Sequence, residues 1–137
     1  MKQAEPKYLR AVGRRKTATA VVKLVVGKQS EQPIVVNGKP INEYWPEAAS
    51  QAKWLEPFRT TNTINRFTGT AVIRGSGPHG QLGAFILAVS RALAASDEKF
   101  RPILKDRGFL TRDPRAKERR KPGLAHKARA GKQSPKR

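Results

Sequence analysis

The sequence contains no cysteine. That excludes disulfides, thiolate nucleophiles and cysteine-based zinc sites, and it is compatible with a reducing compartment. Histidine occurs only as His79 and His126. One stands in a glycine-rich loop and the other in a basic tail, and neither has a carboxylate cluster beside it, so no metal site is expected. Acid is also scarce, with 10 Asp plus Glu against 29 Lys plus Arg. Only Asp97 and Glu98 are adjacent, and no residue stands out as a general base. No apolar run is long enough to span a bilayer. The start, MKQAEPKYLR, lacks the apolar core and cleavage site of a signal peptide. What remains is a chain of 137 residues, the length of one domain with a modest core.

The formal net charge is +19. Such an excess repels itself in the compact state unless a polyanion neutralises it. Nucleic acid is the first expectation and an acidic membrane surface the second. The charge is uneven: residues 101–137 hold 14 basic and 3 acidic side chains, and residues 1–100 hold 15 and 7. From Pro114 onward there is one acid, Glu118, and one large aliphatic residue, Leu124. That segment buries too little apolar surface to offset its ordering entropy. The predicted division is a globular α/β domain over residues 1–110 and an extended basic tail over 111–137, disordered in the free protein. Fully stretched, the residues from Pro114 to the end reach roughly 80 Å.

Residues 1–110 read as mixed α/β. KYLRAV and TATAVVKLVV predict an antiparallel pair around a basic turn, Gly13-Arg14-Arg15-Lys16. In the second run Ala18, Ala20, Val22 and Leu24 form one face and Thr17, Thr19, Val21 and Lys23 the other, as a sheet with one covered face requires. PIVVNGKPI predicts a short strand with a tight turn at Asn37-Gly38. PEAASQAKWLEPF predicts a helix with Pro46 near its start, and INRFTGTAVIR a further strand. Leu82, Phe85, Ile86, Val89 and Leu93 share one face of a helix. Arg91 lies opposite them, and Ala84, Ala88, Ala92 and Ala95 make a flank where another backbone can approach closely. Ser96 is the expected N-cap of a second helix, with Pro102 kinking or restarting it. Phe100, Ile103 and Leu104 are its expected core contacts, and Gly108 its stop.

Gly75-Ser76-Gly77-Pro78-His79-Gly80 fits G-x-G-x-x-G between a strand and a helix. A dinucleotide turn also needs a following strand ending in an acid about 20 positions on. Asp97 and Glu98 fall near that distance, but they open a helix. Pro78 removes an N–H donor, and no Gly-Lys-Ser/Thr follows as a P-loop requires. The expectation is no cofactor and no enzyme. The loop is expected to pack its helix on the sheet and to offer N–H groups to an RNA phosphate.

In order along the chain stand GRRKTATAVVKL, VNGKP, the glycine loop leading to SRAL, RPILKDRGFLTRDPRAKERRKPGLAHKAR, and a terminal Lys-Arg. This series resembles bacterial-type small-subunit ribosomal protein nine over essentially the whole length. Its most specific part runs from Leu110 to Arg115 and on through Glu118, Gly123-Leu124 and Lys127-Ala128-Arg129. The resemblance implies an α/β (α+β) fold with a small mixed sheet and helices on one side. It also implies a left-handed βαβ crossover, as in the second domain of small-subunit ribosomal protein five, against the usual hand. It further implies a place in the head of the small subunit, bound to ribosomal RNA beside neighbouring ribosomal proteins. The tail tip would then approach the anticodon stem-loop of the peptidyl-site tRNA.

Carried over residue by residue, Lys136 and Arg137 contact that tRNA. Ribosomal RNA is faced by Arg14, Arg15 and Lys16 of the turn. It is also faced by Arg112, Arg115, Lys117, Arg119, Arg120, Lys121, Lys127, Arg129 and Lys132. No DNA, membrane or cofactor is implied, and the location is a cytoplasmic ribosome, with an organellar one fitting the same sequence. Four departures stand out. Ser134 replaces the family's usual aromatic residue, which removes a stacking contact. Pro135 stands where Ser is usual, and Ala130-Gly131 replace a more basic stretch. In the loop, Ser76 and His79 replace the commoner Gly and Ser. The alternative is a free-standing basic RNA-binding or RNA-chaperone protein outside the ribosome. A nucleotide-dependent oxidoreductase rests on the loop alone.

Overall fold

The computed structural model describes residues 8–27 and 34–129. Five strands form one sheet, with β1 (Leu9–Arg15), β2 (Ala18–Val26), β3 (Ile34–Val36), β4 (Lys39–Pro40) and β5 (Phe67–Arg74) in the order β1-β2-β5-β3-β4. The β1/β2, β2/β5 and β3/β4 pairs are antiparallel, and β3/β5 is parallel. The sheet is therefore mixed, and the β3-to-β5 connection crosses over through α1 (Ile41–Tyr44) and α2 (Ala48–Thr60). Two further helices follow β5, α3 (Pro78–Ser96) and α4 (Phe100–Asp106). This is the expected small mixed sheet with helices on one side.

The alternation in β2 determines which face is covered. Ala18, Ala20, Val22 and Leu24 are buried, and Lys23 between them is exposed. The buried set meets Phe85, Ala88, Val89 and Leu93 of α3 in a single core. The small flank of α3 has the role its composition predicts, because β1 crosses it at Gly13. A Cβ at Gly13 would fall on the Ala84 carbonyl oxygen and the Ala88 nitrogen. Arg91, on the outer side of α3, donates from Nη1 to the Val12 carbonyl at 2.7 Å. That satisfies an open carbonyl of the edge strand and blunts the edge against further pairing.

The Asn37-Gly38 turn forms as expected, with both residues at positive φ (50° and 81°). Asn37 also extends the parallel ladder. Its Nδ2 donates to the Ile73 carbonyl and its Oδ1 accepts from the Ile73 N–H, both at 2.9 Å.

Several local expectations are corrected. Arg14 and Arg15 belong to β1, and the turn is Lys16-Thr17, with Lys16 at φ 52°. Ser96 ends α3 and donates its hydroxyl back to the Leu93 carbonyl at 2.6 Å. Lys99 flanks the next helix, which has no side-chain cap, and Asp97 Oδ1 accepts the Lys99 N–H at 3.0 Å in the turn before it. Pro102 sits in the first turn of α4, where its missing N–H costs nothing. Ile103 is exposed, while Leu104 is fully buried. Gly108 does end α4, at φ 76°, with Gly108 N–H bonded to the Lys105 carbonyl and Phe109 N–H to the Leu104 carbonyl. That pair of bonds is a Schellman cap.

Candidate nucleic-acid interface

The glycine loop lacks the partner a dinucleotide turn needs. Among the described residues α3 is followed by α4, and no strand returns to the sheet. The loop packs on the β1–β2 turn instead, where a Cβ at Gly75 would meet the Thr17 carbonyl. Gln81 of α3 braces it, donating from Nε2 to the Gly75 carbonyl at 3.2 Å. The same Gln81 accepts the Tyr44 hydroxyl at 2.6 Å, which ties α1 to the start of α3.

The tail begins at this same end of the sheet. Phe109 and Leu110 pack against the core and are its last apolar anchors. Arg112 then donates from Nη1 to the Asp113 carbonyl at 2.6 Å and from Nη2 to the Lys16 carbonyl at 3.5 Å. Arg15 runs along Gly83 of α3, where even a Cβ would collide with its side chain. Its Nη2 stands 3.7 Å from Asp113 Oδ2, and its Nε is buried with no acceptor. Asp113 also accepts from Arg115: Nη2 at 2.7 Å, Nε at 3.0 Å and the backbone N–H at 3.0 Å. One carboxylate thus joins the root of the tail to the first hairpin.

The Arg115 hydrogen bonds hold the Asp113 carboxyl far below the usual carboxylate range, with the Arg15 charge adding to the effect. Because its folded pKa is depressed, its stabilising effect is complete above the unfolded value, near 3.8. The effect is lost only as pH falls through the folded value. Amide exchange at Arg115, corrected for intrinsic rate, is therefore expected to stay constant from pH 5 to pH 8. Asp113→Asn should accelerate it severalfold across that whole range. Hydrogen exchange by NMR checks this, and equal rates in the two proteins would remove the clamp.

Residues 113–121 have no regular secondary structure, and Lys117, Arg119 and Arg120 are exposed. A loop then closes between Lys121 and Lys127. Lys121 N–H bonds to the Lys127 carbonyl at 3.3 Å, and Lys127 N–H to the Leu124 carbonyl at 3.0 Å. Glu118 spans its base, accepting from Arg129 Nε at 2.9 Å and from Lys121 Nζ at 3.4 Å. Those cations, Arg129 first, lower its pKa. So of the sequence-predicted cations, Arg15, Lys16, Arg112 and Arg115 are gathered at one end, while Arg14 lies on the opposite face of β1 from Arg15. Lys121 and Arg129 are held by Glu118. Lys132, Lys136 and Arg137 lie outside the described residues.

Sequence reasoning missed the part played by Asp113 and the cations on the strands, Arg10, Lys23 and Arg74. The latter alternate with apolar residues and so carry a readable signal. Asp113 meets Arg15 across about a hundred positions, and periodicity does not report such a contact. Among the described residues there is no cluster of three metal-ligating side chains, and no helix is long and apolar enough to cross a membrane.

The family model described as ribosomal protein S9/S16 matches residues 13–137. Small ribosomal subunit protein uS9 of Dehalococcoides mccartyi (strain CBDB1) is 45% identical over 123 residues, covering 90% of this chain and 91% of the relative. The protein of the same name from Saccharopolyspora erythraea is 43% identical over 129 residues, 94% of this chain and 82% of the relative. The family model's span takes in the Lys16-Thr17 turn with β2, the glycine loop, the Asp113 clamp and the Glu118 loop together. The chain belongs to the ribosomal protein S9/S16 family, and is a ribosomal protein rather than an enzyme.

Proposed function

We propose that the chain is a structural constituent of the small ribosomal subunit, lodged in its head, with the globular body and the tail both bound to ribosomal RNA. The observation that carries this reading is the gathering of four cations at one end of the sheet, Arg15 and Arg115 joined through the Asp113 carboxylate and Arg112 bonded to the Lys16 and Asp113 carbonyls. Two basic stretches far apart in sequence become one surface, and the tail leaves from it. Guanidinium forks hold phosphate bidentately, and Lys supplies a mobile point charge. Contacts of this kind fix register without reading base sequence.

The tail tip, Lys136 and Arg137, contacts the phosphates of the peptidyl-site tRNA anticodon stem-loop. A contact that ignores base identity suits a site that every tRNA must occupy. Residence in a bacterial-type ribosome places the protein in the cytoplasm, with neighbouring proteins of the subunit head as partners. The tail beyond the Asp113 clamp orders on its RNA target.

Two measurements test the reading. The protein should co-sediment with small subunits after a high-salt wash, because many contacts must break together. Release under that wash would favour a free-standing RNA-binding protein. Deleting Lys136 and Arg137 should weaken peptidyl-site tRNA binding, read by filter binding, with folding and subunit assembly unchanged. Lost assembly from this deletion alone, or unchanged tRNA affinity, would refute the tRNA contact.

A further inference from the structure

The helices cover one face of the sheet, and the other face has no described element on it. Three cross-strand rows carry the charge of that open face, and beyond them Val25 lies opposite Thr68. Arg10 pairs with Lys23, which pairs with Thr70. Val12, Val21 and Val72 form the middle row, and Arg14, Thr19 and Arg74 the third. Arg10, Arg14, Lys23 and Arg74 are exposed, and Val72 is 51% exposed. None of the five strands contains a carboxylate. None of these four cations is in an ion pair among the described residues.

Strand geometry sets the spacing. The two cation rows lie four residues apart along the strands, roughly 13 Å, with the valine row midway. Within the third row, Arg14 and Arg74 flank β2 at roughly 10 Å. The row that holds them is at the same end as the Lys16-Thr17 turn and the Arg112 contact, so this face is continuous with the surface from which the tail leaves.

We propose that the open face of the sheet is a second RNA-docking surface, and that it takes the backbone of a base-paired segment. The inference rests on the reading of the chain as a ribosomal-RNA-binding protein and deepens it. Charge selects a polyanion, and repulsion between identical cationic faces rules out a second copy of this chain as the occupant. The middle row is aliphatic. The one exposed ring beside these rows, Tyr8, stands at the far end of the face and is covered by Lys23, whose Nζ is 5.3 Å from its centroid. No pair of rings is therefore offered on which splayed bases could stack, which is how sheets that read single strands hold them. An A-form helix presents a wide, shallow minor groove lined with ribose. The valine row packs on ribose there, and the two cation rows reach phosphates on either side.

Photocrosslinking in the assembled subunit tests this, with benzoylphenylalanine in place of Val72 and, in a separate protein, in place of Lys117 of the tail. The expected result is RNA adducts from both positions, with the Val72 adduct mapping to a base-paired segment. RNA adducts from position 117, with position 72 attached to a protein or to nothing, would overturn the docking face and leave the parent reading standing. A position 72 adduct on unpaired nucleotides would overturn the base-paired assignment. No RNA adduct from either position would sink both. Changing Arg10, Lys23 and Arg74 together to Gln should flatten the log–log salt dependence of RNA binding by about 2–3 while leaving the tail's share intact. An unchanged slope would count against the face.

Discussion

Gly13→Ala is expected to lower stability by about 3 kcal/mol, the upper part of the range for overpacking a core. In a domain of this size that loss lowers Tm by about 10 °C. The added methyl would meet backbone, namely the Ala84 carbonyl oxygen and the Ala88 nitrogen. Neither atom belongs to a side chain that can turn aside. The whole of α3 must move off β1, and α3 is the helix against which β1 and β2 pack. The consequence is specific. Ala88→Gly, which trims the side chain of one of the two residues met, should not rescue Gly13→Ala, because the obstruction is main chain. Thermal melts of the single and double variants check both statements. A melt shift below about 2 °C for Gly13→Ala, or full rescue by Ala88→Gly, would mean that β1 and α3 do not lie this close.

The same contact shows how far the sequence reaches. The alanine flank of α3 announces that some backbone comes near, since small residues at helical spacing leave nothing else to fill the gap. It does not say which backbone. Gly13 carries no periodic signal, and as part of GRRK it reads as a turn. The turn falls two residues later because the β1/β2 register is set by Leu9–Leu24 and Ala11–Val22 on the covered face, and that register carries Arg14 and Arg15 into the strand. Local patterning likewise exposes the Asn37-Gly38 turn, the covered face of β2 and the stop at Gly108. α1 is missed because Ile41–Tyr44 is a single turn with one fully buried side chain, too short for a period to show. Ser96 is a good N-cap by type, but its hydroxyl is taken by the Leu93 carbonyl one turn back, a bond local preference also allows.

The interface was legible in composition and not in arrangement. A net charge of +19 and the acid-poor tail point to a polyanion. Alternation places Lys23 on the uncovered face of its strand. The junction of hairpin and tail depends on one carboxylate, Asp113, which in sequence looks like an incidental acid between arginines. Its role comes from Arg15 arriving over Gly83, a long-range event set by how β1 lies on α3. The most consequential acid for the interface was therefore hidden by the packing that also hid the role of Gly13.

Neutralising the tail should produce the largest change in binding. Residues 111–129 hold eight cations, Arg112, Arg115, Lys117, Arg119, Arg120, Lys121, Lys127 and Arg129, and two acids, Asp113 and Glu118. Both acids are paired with tail cations. If those pairs persist on RNA, about six charges remain to displace counterions. The slope of log K against log salt should then steepen by roughly 4 relative to a variant with all eight cations changed to Gln. Over a fourfold rise in salt the native chain is expected to lose about 300-fold more affinity than that variant. Changing Asp113 to Asn and Glu118 to Gln in the native chain frees the two paired arginines, and the tail's share should grow to roughly 6. Binding titrations on small-subunit RNA at several salt concentrations measure all three proteins. Were RNA to displace the carboxylates on its own, the native tail would already show 6 and the acid variant would add nothing. Were the slope of the eight-fold variant equal to the native one, the tail would contribute no phosphate contacts, and the body alone would hold the RNA.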